Sequence, residues 1–325
     1  MFVARVIPEE GLDAVRAVCN TDVWEDELPP PRDELLRRVA GCDGVLTLLT
    51  DRVDDEFLDM AGPQLKVVSN YAVGFDNVDV AACARRRIPV GNTPGVLTET
   101  TADLAFALLM AAARRLPEGD RYVRDGNWRT WGPLLLLGPD VHGATIGIVG
   151  FGRIGSRIGA FGGFLGMRVL AWGPTLTAER AAAGGAAYVP LETLLAESDV
   201  VSLHTRLSDQ TRGLITAPRL ALMKPTAYLI NTARGPIVDE AALVAALRER
   251  RIAGAALDVF DEEPLPAGHP LAALDNVVLT PHLGFVTHEA YDVFFRGAVD
   301  NILRWLDGGL PERTLNPEAR PLEKR

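Results

Sequence analysis

Short apolar runs alternate with amphipathic stretches through the first hundred residues. Runs such as FVARVI, GVLTLLT and LKVVSNYA are rich in Val, Ile and Leu, and the stretches GLDAVRAV and DELLRRVA have helical spacing. Runs of this kind are typical of parallel strands covered by helices on both faces. The pattern therefore predicts one α/β unit built on a parallel sheet.

A second series of the same kind follows the long apolar segment TETTADLAFALLMAAARRL, which predicts a buried helix. The second series contains the strand candidates TIGIVG, RVLAW, DVVSLH, AYLINTA, GAALDVF and NVVLT. The amphipathic stretch EAYDVFFRGAVDNILRWLDGG then predicts a helix that returns to the first unit. We therefore predict two Rossmann-like, doubly wound parallel-sheet domains, one formed by residues 1–97 plus 287–325 and the other by residues 98–286.

Composition and charge narrow the range of partners. The chain has 325 residues, 48% of them hydrophobic and 23% charged, and its net charge is −10. Such a chain repels phosphate backbones and anionic lipid, so we expect no nucleic acid and no membrane as partners. Three scattered cysteines show no metal-ligand spacing. We expect no metal site and a cytoplasmic protein.

The motif GFGRIG supplies the candidate cofactor site. It follows the strand TIGIV and precedes a helical stretch that leads into RVLAW, which is the context of a dinucleotide-binding fingerprint. Gly150 permits a tight turn, Gly152 lets the backbone approach a pyrophosphate, and Gly155 lets helix and strand pack closely. The alternative, a purely structural glycine turn, explains less of this context.

The end of the next strand bears on the choice of cofactor. An acidic residue there binds the ribose hydroxyl of NAD and repels the 2′-phosphate of NADP, but this chain has Gly173, followed by Pro174 and Thr175. The hydroxyls of Thr175 and Thr177 and the guanidinium of Arg180 can donate to a phosphate. Equally, Thr177 can cap a helix while Arg180 faces solvent. We expect NADP or NAD, with NADP slightly favoured.

Three later segments place polar residues after apolar strands. Arg234 follows LINTA, four acidic residues from Asp258 to Glu263 follow GAAL, and His282 follows VVLTP. Taken alone, each segment also has a non-catalytic explanation: a surface arginine, solvated acids and a structural histidine. The carboxyl ends of parallel strands meet at one edge, so we expect the three segments to converge there.

These motifs resemble those of the D-2-hydroxyacid dehydrogenases. NTARGPIVDE, GAALDVFDEEP and VVLTPHLG look like that family, and SNYAVGFDNVDV, NTPGVLTETTADLAFALL, DGNWRTWGPLLLLG and the final NPE look most like its glyoxylate/hydroxypyruvate reductases. The resemblance covers nearly the whole chain. It implies two Rossmann-like domains with the active site in the cleft between them. Separately, the apolar arm Trp131–Leu137 has too many leucines for a free loop and predicts a homodimer.

The resemblance also implies roles for individual residues. Arg234, Glu263 and His282 fall on the catalytic positions. Substrate contacts are expected from Asn70, Val73, Gly74, Arg234 and Phe285, with backbone amides of Val73 and Gly74 meeting the carboxylate. Asp258 falls where the family contacts the nicotinamide carboxamide. The full set of expected cofactor contacts is Gly150, Phe151, Gly152, Arg153, Ile154, Gly155, Gly173, Pro174, Thr175, Thr205, Thr232, Ala233, Asp258 and Gly284.

The reduction of a 2-oxo acid requires residues of these types. His282 can give the proton, because an imidazole is suited to proton transfer near neutral pH, and Glu263 beside it would favour the imidazolium. Arg234 can hold the substrate carboxylate and polarise the carbonyl. We therefore expect NAD(P)H-dependent reduction of a small 2-oxo acid, glyoxylate or hydroxypyruvate, to the D-2-hydroxy acid.

Several features leave alternatives open. Phe285 stands where many members have serine, Leu135 replaces a bulky aromatic, and Arg206 stands where an apolar residue or proline is usual. The same scaffold also serves cofactor-sensing, corepressor-like binding proteins and dehydrogenases of small acids such as phosphite or formate. The intact set of Arg234, Glu263 and His282 favours an enzyme.

Overall fold

The chain folds into two compact units, described in a computed structural model for residues 1–319 apart from Pro94 and Val96. One unit is formed by Met1–Leu97 together with the chain from Thr287, and the other by Thr98–Val286. The chain therefore leaves the first unit once and re-enters it near its carboxyl terminus. The assignment of substrate binding to the first unit stays a prediction.

The first unit contains a parallel sheet of five strands within its described residues. The strands are β1 (Phe2–Val3), β2 (Asp22–Val23), β3 (Gly44–Thr47), β4 (Val67–Asn70) and β5 (Val90–Gly91), in the order β2-β1-β3-β4-β5. The helices between them are α1 (Glu9–Arg16), α2 (Arg32–Val39), α3 (Asp55–Ala61) and α4 (Val80–Arg85). Phe2, Phe57 and Val68 are fully buried at the centre of this unit. The predicted α/β unit is confirmed.

Some short elements of this unit were not predicted from the hydrophobic pattern. Strands β2 and β5 have two residues each, too few to show a periodicity of their own. Helix α3 begins after Asp54, whose side chain accepts a hydrogen bond from the backbone N–H of Phe57. That aspartate at the N-cap position was the available sequence signal for this helix.

The second unit is built on a parallel sheet of seven strands within the described chain. The strands are β6 (Thr145–Val149), β7 (Arg168–Trp172), β8 (Ala187–Tyr188), β9 (Val200–Leu203), β10 (Tyr228–Asn231), β11 (Gly254–Leu257) and β12 (Val277–Leu279). Their order is β12-β11-β10-β9-β6-β7-β8. The helices are α5 (Thr98–Ala113), α6 (Leu116–Arg124), α7 (Arg153–Phe164), α8 (Ala178–Ala183), α9 (Leu191–Glu197), α10 (Ala217–Leu220) and α11 (Glu240–Arg248).

Helices cover this sheet on both faces, which explains why its strands are apolar throughout. On one face Leu194 and Leu229 belong to a buried cluster, and on the other Leu109 of α5 packs with Ile148 and Ile230. The strand order reverses between β6 and β9, because the chain passes from β6 to β7 on one side and returns to β9 on the other. Such a reversal opens a crevice at the carboxyl ends of the strands, where open α/β sheets bind ligands.

None of the helices in the described residues has the length and apolar character needed to cross a membrane.

The returning segment is tied into the first unit by buried asparagines. Helix α12 (His288–Leu306) is preceded by its N-cap Thr287, whose hydroxyl accepts a hydrogen bond from the N–H of Ala290. Beyond α12, Asn316 is 1% exposed. Its Oδ1 accepts from the N–H of Val90 at 2.9 Å, and its Nδ2 donates to the carbonyl of Ile88 at 2.8 Å. One side chain thus satisfies two buried backbone groups beside β5.

We expect Asn316→Ala to destabilise the first unit, because both backbone groups lose their partner and stay buried. Leaving two such groups unsatisfied costs about 2–6 kcal/mol, at about 1–3 kcal/mol each. Urea unfolding followed by circular dichroism would measure the loss, with the exposed Asn127→Ala as the matched control. An Asn316→Ala protein as stable as the control would contradict the role given to this side chain.

Candidate active site

The carboxyl edge of the seven-stranded sheet carries the polar residues predicted to form the site. Gly150 follows β6, Arg234 lies three residues beyond β10, Asp258 follows β11, and Thr280 follows β12. All of these strands are parallel, so their ends lie at the same edge. The parallel topology therefore brings the three later segments to this edge, as predicted.

The glycine fingerprint forms a tight strand-to-helix turn. Gly150 has φ +99°, and a Cβ on it would lie 2.5 Å from the backbone nitrogen of Thr205. A Cβ on Gly155 would lie 2.1 Å from the carbonyl oxygen of Gly150. Larger residues are thus excluded at both positions, in one case by conformation and in the other by close helix–strand packing.

The front of this turn fits the diphosphate of a dinucleotide. Helix α7 begins at Arg153 with Gly152 as its N-cap, and no side chain caps it. A Cβ on Gly152 would meet no atom within 4 Å, so open space lies directly before the helix N-terminus. Free N–H groups and the helix dipole there favour an anion. At β10, the Thr232 hydroxyl oxygen is buried without a hydrogen-bond partner among the described residues, leaving it available to a bound group.

The Phe151 side chain packs in the core behind the glycine turn. It is 8% exposed and belongs to the core beside α5 and α7. Gly159 and Gly184 make room for the ring, because a Cβ on either would lie within about 3 Å of it. Any contact of Phe151 with a cofactor would therefore come from its backbone.

The loop after β7 has no acidic side chain to meet a ribose. Gly173 is buried, whereas Pro174 and Thr175 are exposed. The Thr177 hydroxyl accepts from the N–H of Arg180 at 3.3 Å, which confirms the capping alternative for Thr177. The Arg180 guanidinium turns back and donates to the carbonyl of Thr175 at 3.3 Å. The side chain thus lies over this loop.

The backbone carrying Arg234 is held by the last residue of β10. Asn231 is 1% exposed, its Oδ1 accepts from the N–H of Ala233, and its Nδ2 donates to the carbonyl of Arg234 at 2.9 Å. The Arg234 guanidinium donates to the carbonyl of Ala233 at 2.7 Å. Arg234 is half-buried, and its positive charge helps to lower the pKa of Glu263.

Asp258 fixes the loop that follows β12. Its carboxylate is buried and accepts three hydrogen bonds, from the Thr280 hydroxyl at 2.6 Å and from the N–H groups of Leu283 at 2.7 Å and Gly284 at 2.8 Å. Burial raises the pKa of Asp258 and outweighs these hydrogen bonds, which act in the opposite direction. Asp258 therefore acts on the loop in this structure, and its contact with a cofactor stays a prediction.

His282 and Glu263 form a hydrogen-bonded pair in the candidate site. His282 Nδ1 lies 2.7 Å from Glu263 Oε2, while Glu263 Oε1 accepts from the N–H of Phe260 at 2.9 Å. Burial raises the pKa of Glu263, but the hydrogen bond and charge of His282, with the charge of Arg234, more than offset it and lower that pKa. Glu263 is therefore a carboxylate at neutral pH, and it orients the ring so that Nε2 is the nitrogen left for other partners.

The backbone of His282 is held in an uncommon conformation. Its φ is +54°, and its N–H is shared by the carbonyls of Asp258 and Thr280 at 3.0 Å. Non-glycine residues in this region cost about 1 kcal/mol or more and persist where surrounding contacts fix them. The Phe285 ring lies edge-on to the imidazole, with 5.7 Å between ring centroids. Phe285 thus shapes the surroundings of the imidazole.

The predicted substrate residues lie in the first unit, Asn70 at the end of β4 and Val73 and Gly74 in the loop that follows. Asn70 is fully buried, and its Nδ2 donates to the carbonyl of Gly74 at 3.0 Å. Asn92 donates to the carbonyl of Val73 at 2.9 Å. The structure therefore gives Asn70 a role in holding this loop, and substrate contact by the three residues stays a prediction.

Sequence reasoning missed the residues that position the site. Asn231 and Thr280 hold the Arg234 and His282 loops, and the Thr101 hydroxyl of α5 donates to the carbonyl of Gly284 at 2.9 Å. The signal available for the first two was a polar residue at the end of an apolar strand. Thr101 gave no signal, because its partner lies 183 residues away. No group of three or more metal-ligating side chains occurs in the part of the chain that the structure describes.

Comparison with known proteins identifies the family. Residues 106–284 match the NAD binding domain of the D-isomer specific 2-hydroxyacid dehydrogenases. The glyoxylate reductase of Korarchaeum cryptofilum is 48% identical over 98% of this chain and 96% of its own, and that of Thermococcus litoralis is 46% identical over 98% and 97%. A protein from Thermus thermophilus has a similar structure, with a TM-score of 0.90 and 45% identity over 97% of this chain and 99% of its own.

A further solved structure contains ligands. The NADPH-dependent glyoxylate/hydroxypyruvate reductase of Sinorhizobium meliloti, in complex with NADP and malonate, has a TM-score of 0.86 and 30% identity, covering 100% of this chain and 98% of its own.

We expect Asp258→Asn to loosen the loop that carries His282, because the amide cannot accept from all three donors. Losing hydrogen bonds to a charged group costs about 1.5–3 kcal/mol each, which corresponds to roughly tenfold to hundredfold faster exchange of the Leu283 and Gly284 amides. Hydrogen exchange followed by mass spectrometry would measure this. Asp261→Asn, at an exposed aspartate three residues away, is the control. Unchanged protection of the loop in Asp258→Asn would refute the role of the carboxylate.

Proposed function

The chain belongs to the D-isomer specific 2-hydroxyacid dehydrogenase family, and on that basis we propose that it reduces glyoxylate, with hydroxypyruvate as a second substrate, to the corresponding 2-hydroxy acid. The observation that carries the proposal is the His282–Glu263 pair, 2.7 Å apart at the strand edge that also holds the glycine fingerprint. The names and full-length similarity of the glyoxylate reductase relatives support the choice of substrate.

Each residue has a separate task in this reaction. Bound NADPH or NADH supplies the hydride that reduces the carbonyl carbon. His282 donates the proton to the carbonyl oxygen from Nε2, because Nδ1 is held by Glu263. Glu263 stabilises the imidazolium before transfer and keeps the ring oriented. Arg234 binds the substrate carboxylate with its guanidinium fork and polarises the carbonyl.

The cofactor is held by the fingerprint and by strand ends of the second unit. Gly150, Gly152 and Gly155 shape the turn before α7, whose free N–H groups bind the diphosphate. The hydroxyl of Thr232 is available for a hydrogen bond to the bound cofactor. Gly173 leaves room for a 2′-phosphate, so NADPH is accepted and modestly preferred over NADH.

We expect His282→Ala to lower kcat for glyoxylate by roughly two to four orders of magnitude, the range of general acid catalysis. The loss of reduced-nicotinamide absorbance would measure it, and His142→Ala, at an exposed histidine of the same unit, is the control. A His282→Ala protein that retains most of its kcat would show that His282 is structural. No turnover of glyoxylate or hydroxypyruvate by the unmodified protein would overturn the proposal.

We expect Arg180→Ala to lower kcat/KM for NADPH by roughly tenfold or more, because a guanidinium hydrogen bond to the 2′-phosphate is lost. The value for NADH should not change. Measuring both cofactors with glyoxylate separates the two effects, with Arg248→Ala as a surface control. A clear NADH preference in the unmodified protein, or equal losses for both cofactors, would contradict the role of Arg180.

We expect the protein to be a homodimer held by the arm Trp131–Leu137. In the arm, Trp131 is 87% exposed, Leu134 79% and Leu137 60%, a concentration of apolar surface that favours coverage by a second chain. Analytical ultracentrifugation at micromolar concentration should show two chains per particle, and Leu134→Ser should shift the particle towards one chain. Leu28→Ser, at a leucine 72% exposed in the first unit, is the control. A monomer before mutation would rule the dimer out.

A further inference from the structure

A second cavity lies at the amino-terminal edge of the seven-stranded sheet. Its volume is about 190 Å³, and its lining includes Tyr228 of β10, Val277 of β12 and Ala112 near the end of α5. Strand β10 begins at the cavity with Tyr228 and ends before Arg234, so the cavity lies at the edge opposite the candidate active site. The reaction proposed above makes no use of it.

Three guanidinium groups line this cavity. Arg115 forms a paired hydrogen bond with Glu118 at 2.8 and 2.9 Å, and Arg250 pairs with Asp275 at 2.5 Å. Arg121 has no carboxylate within ion-pair distance among the described residues. Three positive and two negative side chains leave a net positive charge of one at this site. In a chain of net charge −10, that is a local reversal of sign.

The Tyr228 hydroxyl is an uncharged hydrogen-bond donor at the cavity. The Tyr228 hydroxyl has no hydrogen-bond partner among the described residues, and a Cβ on Gly254 would lie 3.1 Å from its ring, so glycine makes room for that ring. Burial raises the pKa of Tyr228, while the charges of Arg115 and Arg250 act to lower it, which indicates that both guanidiniums act on the phenol. The phenol is therefore a protonated donor at neutral pH.

The first turn of α6 forms part of the same wall. The helix has nine residues, Pro117 stands in its first turn, and no side chain caps its N-terminus at Arg115. Pro117 and Glu118 both line the cavity. Uncapped N–H groups and the positive end of a helix dipole attract anions, independently of the guanidiniums.

We propose that this cavity binds a small phosphomonoester, with its phosphate held by Arg121, Arg250 and the Tyr228 hydroxyl near the N-terminus of α6. Guanidiniums suit a phosphate, because its several acceptor oxygens can take paired N–H donors from different directions. The cavity volume of about 190 Å³ is many times what a single water needs, so a phosphate with a short carbon chain has room in it. The site is separate from the fingerprint, which binds the dinucleotide.

Calorimetric titration of the full-length protein with glycerol phosphate and with inorganic phosphate tests this proposal. Saturating oxidised cofactor is present throughout, so that the probes cannot bind at the fingerprint. We expect one site per chain for glycerol phosphate, and affinity reduced roughly tenfold or more in Arg121→Ala, since one hydrogen bond to a charged group is lost. Tyr228→Phe should weaken binding in the same direction. Arg248→Ala, an exposed arginine outside the lining, should bind as the unmodified protein does.

We expect neither Arg121→Ala nor Tyr228→Phe to impair folding, so a loss of binding would report on the site itself. Arg121 is exposed on α6, and Tyr228→Phe removes only a hydroxyl, so unliganded thermal stability should stay unchanged. Absence of glycerol phosphate binding by the cofactor-loaded protein would overturn the proposal. Equal affinity in the unmodified, Arg121→Ala and Tyr228→Phe proteins would place binding elsewhere and overturn it too. Binding of glycerate without glycerol phosphate would refute the phosphate as the recognised group.

Discussion

The buried carboxylate of Asp258 is the interaction on which the candidate active site depends. It lies at the end of β11 and gathers donors from the Thr280 hydroxyl and from two N–H groups of the following loop. These three bonds fix the loop after β12 to the end of β11. The backbone of His282 is then held at a positive φ, and its ring meets Glu263.

Parallel strands explain how such distant residues reach one place. Gly150, Arg234, Asp258 and His282 span more than a hundred residues of sequence, but each follows a strand of the same sheet. The same topology creates a second edge where the strands begin. Arginines from two segments and the phenol of Tyr228 lie there, so one sheet presents the candidate active site at one edge and a positively charged cavity at the other. Neither arrangement needs residues that are close in sequence.

Charge is distributed in a way that the overall acidity does not reveal. A net charge of −10 would repel an anionic 2-oxo acid, yet the carboxyl edge holds Arg234 beside Glu263 and His282. The glutamate stays ionised because the neighbouring positive groups outweigh its burial. The ionised Glu263 thereby fixes the orientation of the His282 ring, which we propose to be the proton donor. Local fields of this kind, rather than net charge, decide which small anions bind.

The sequence by itself determined the two α/β units, the glycine turn and the strand-end positions of Arg234, Glu263 and His282, because apolar periodicity and local turn chemistry are properties of neighbouring residues. Only the tertiary structure decided which groups Asp258 holds, how Asn231 and Thr101 support the loops, and that Asn70 is buried. Those contacts join residues far apart along the chain, and two-residue strands such as β5 likewise exist only through their neighbours. The physical reason is the same in each case: a hydrogen bond between distant segments leaves no periodic trace in either one.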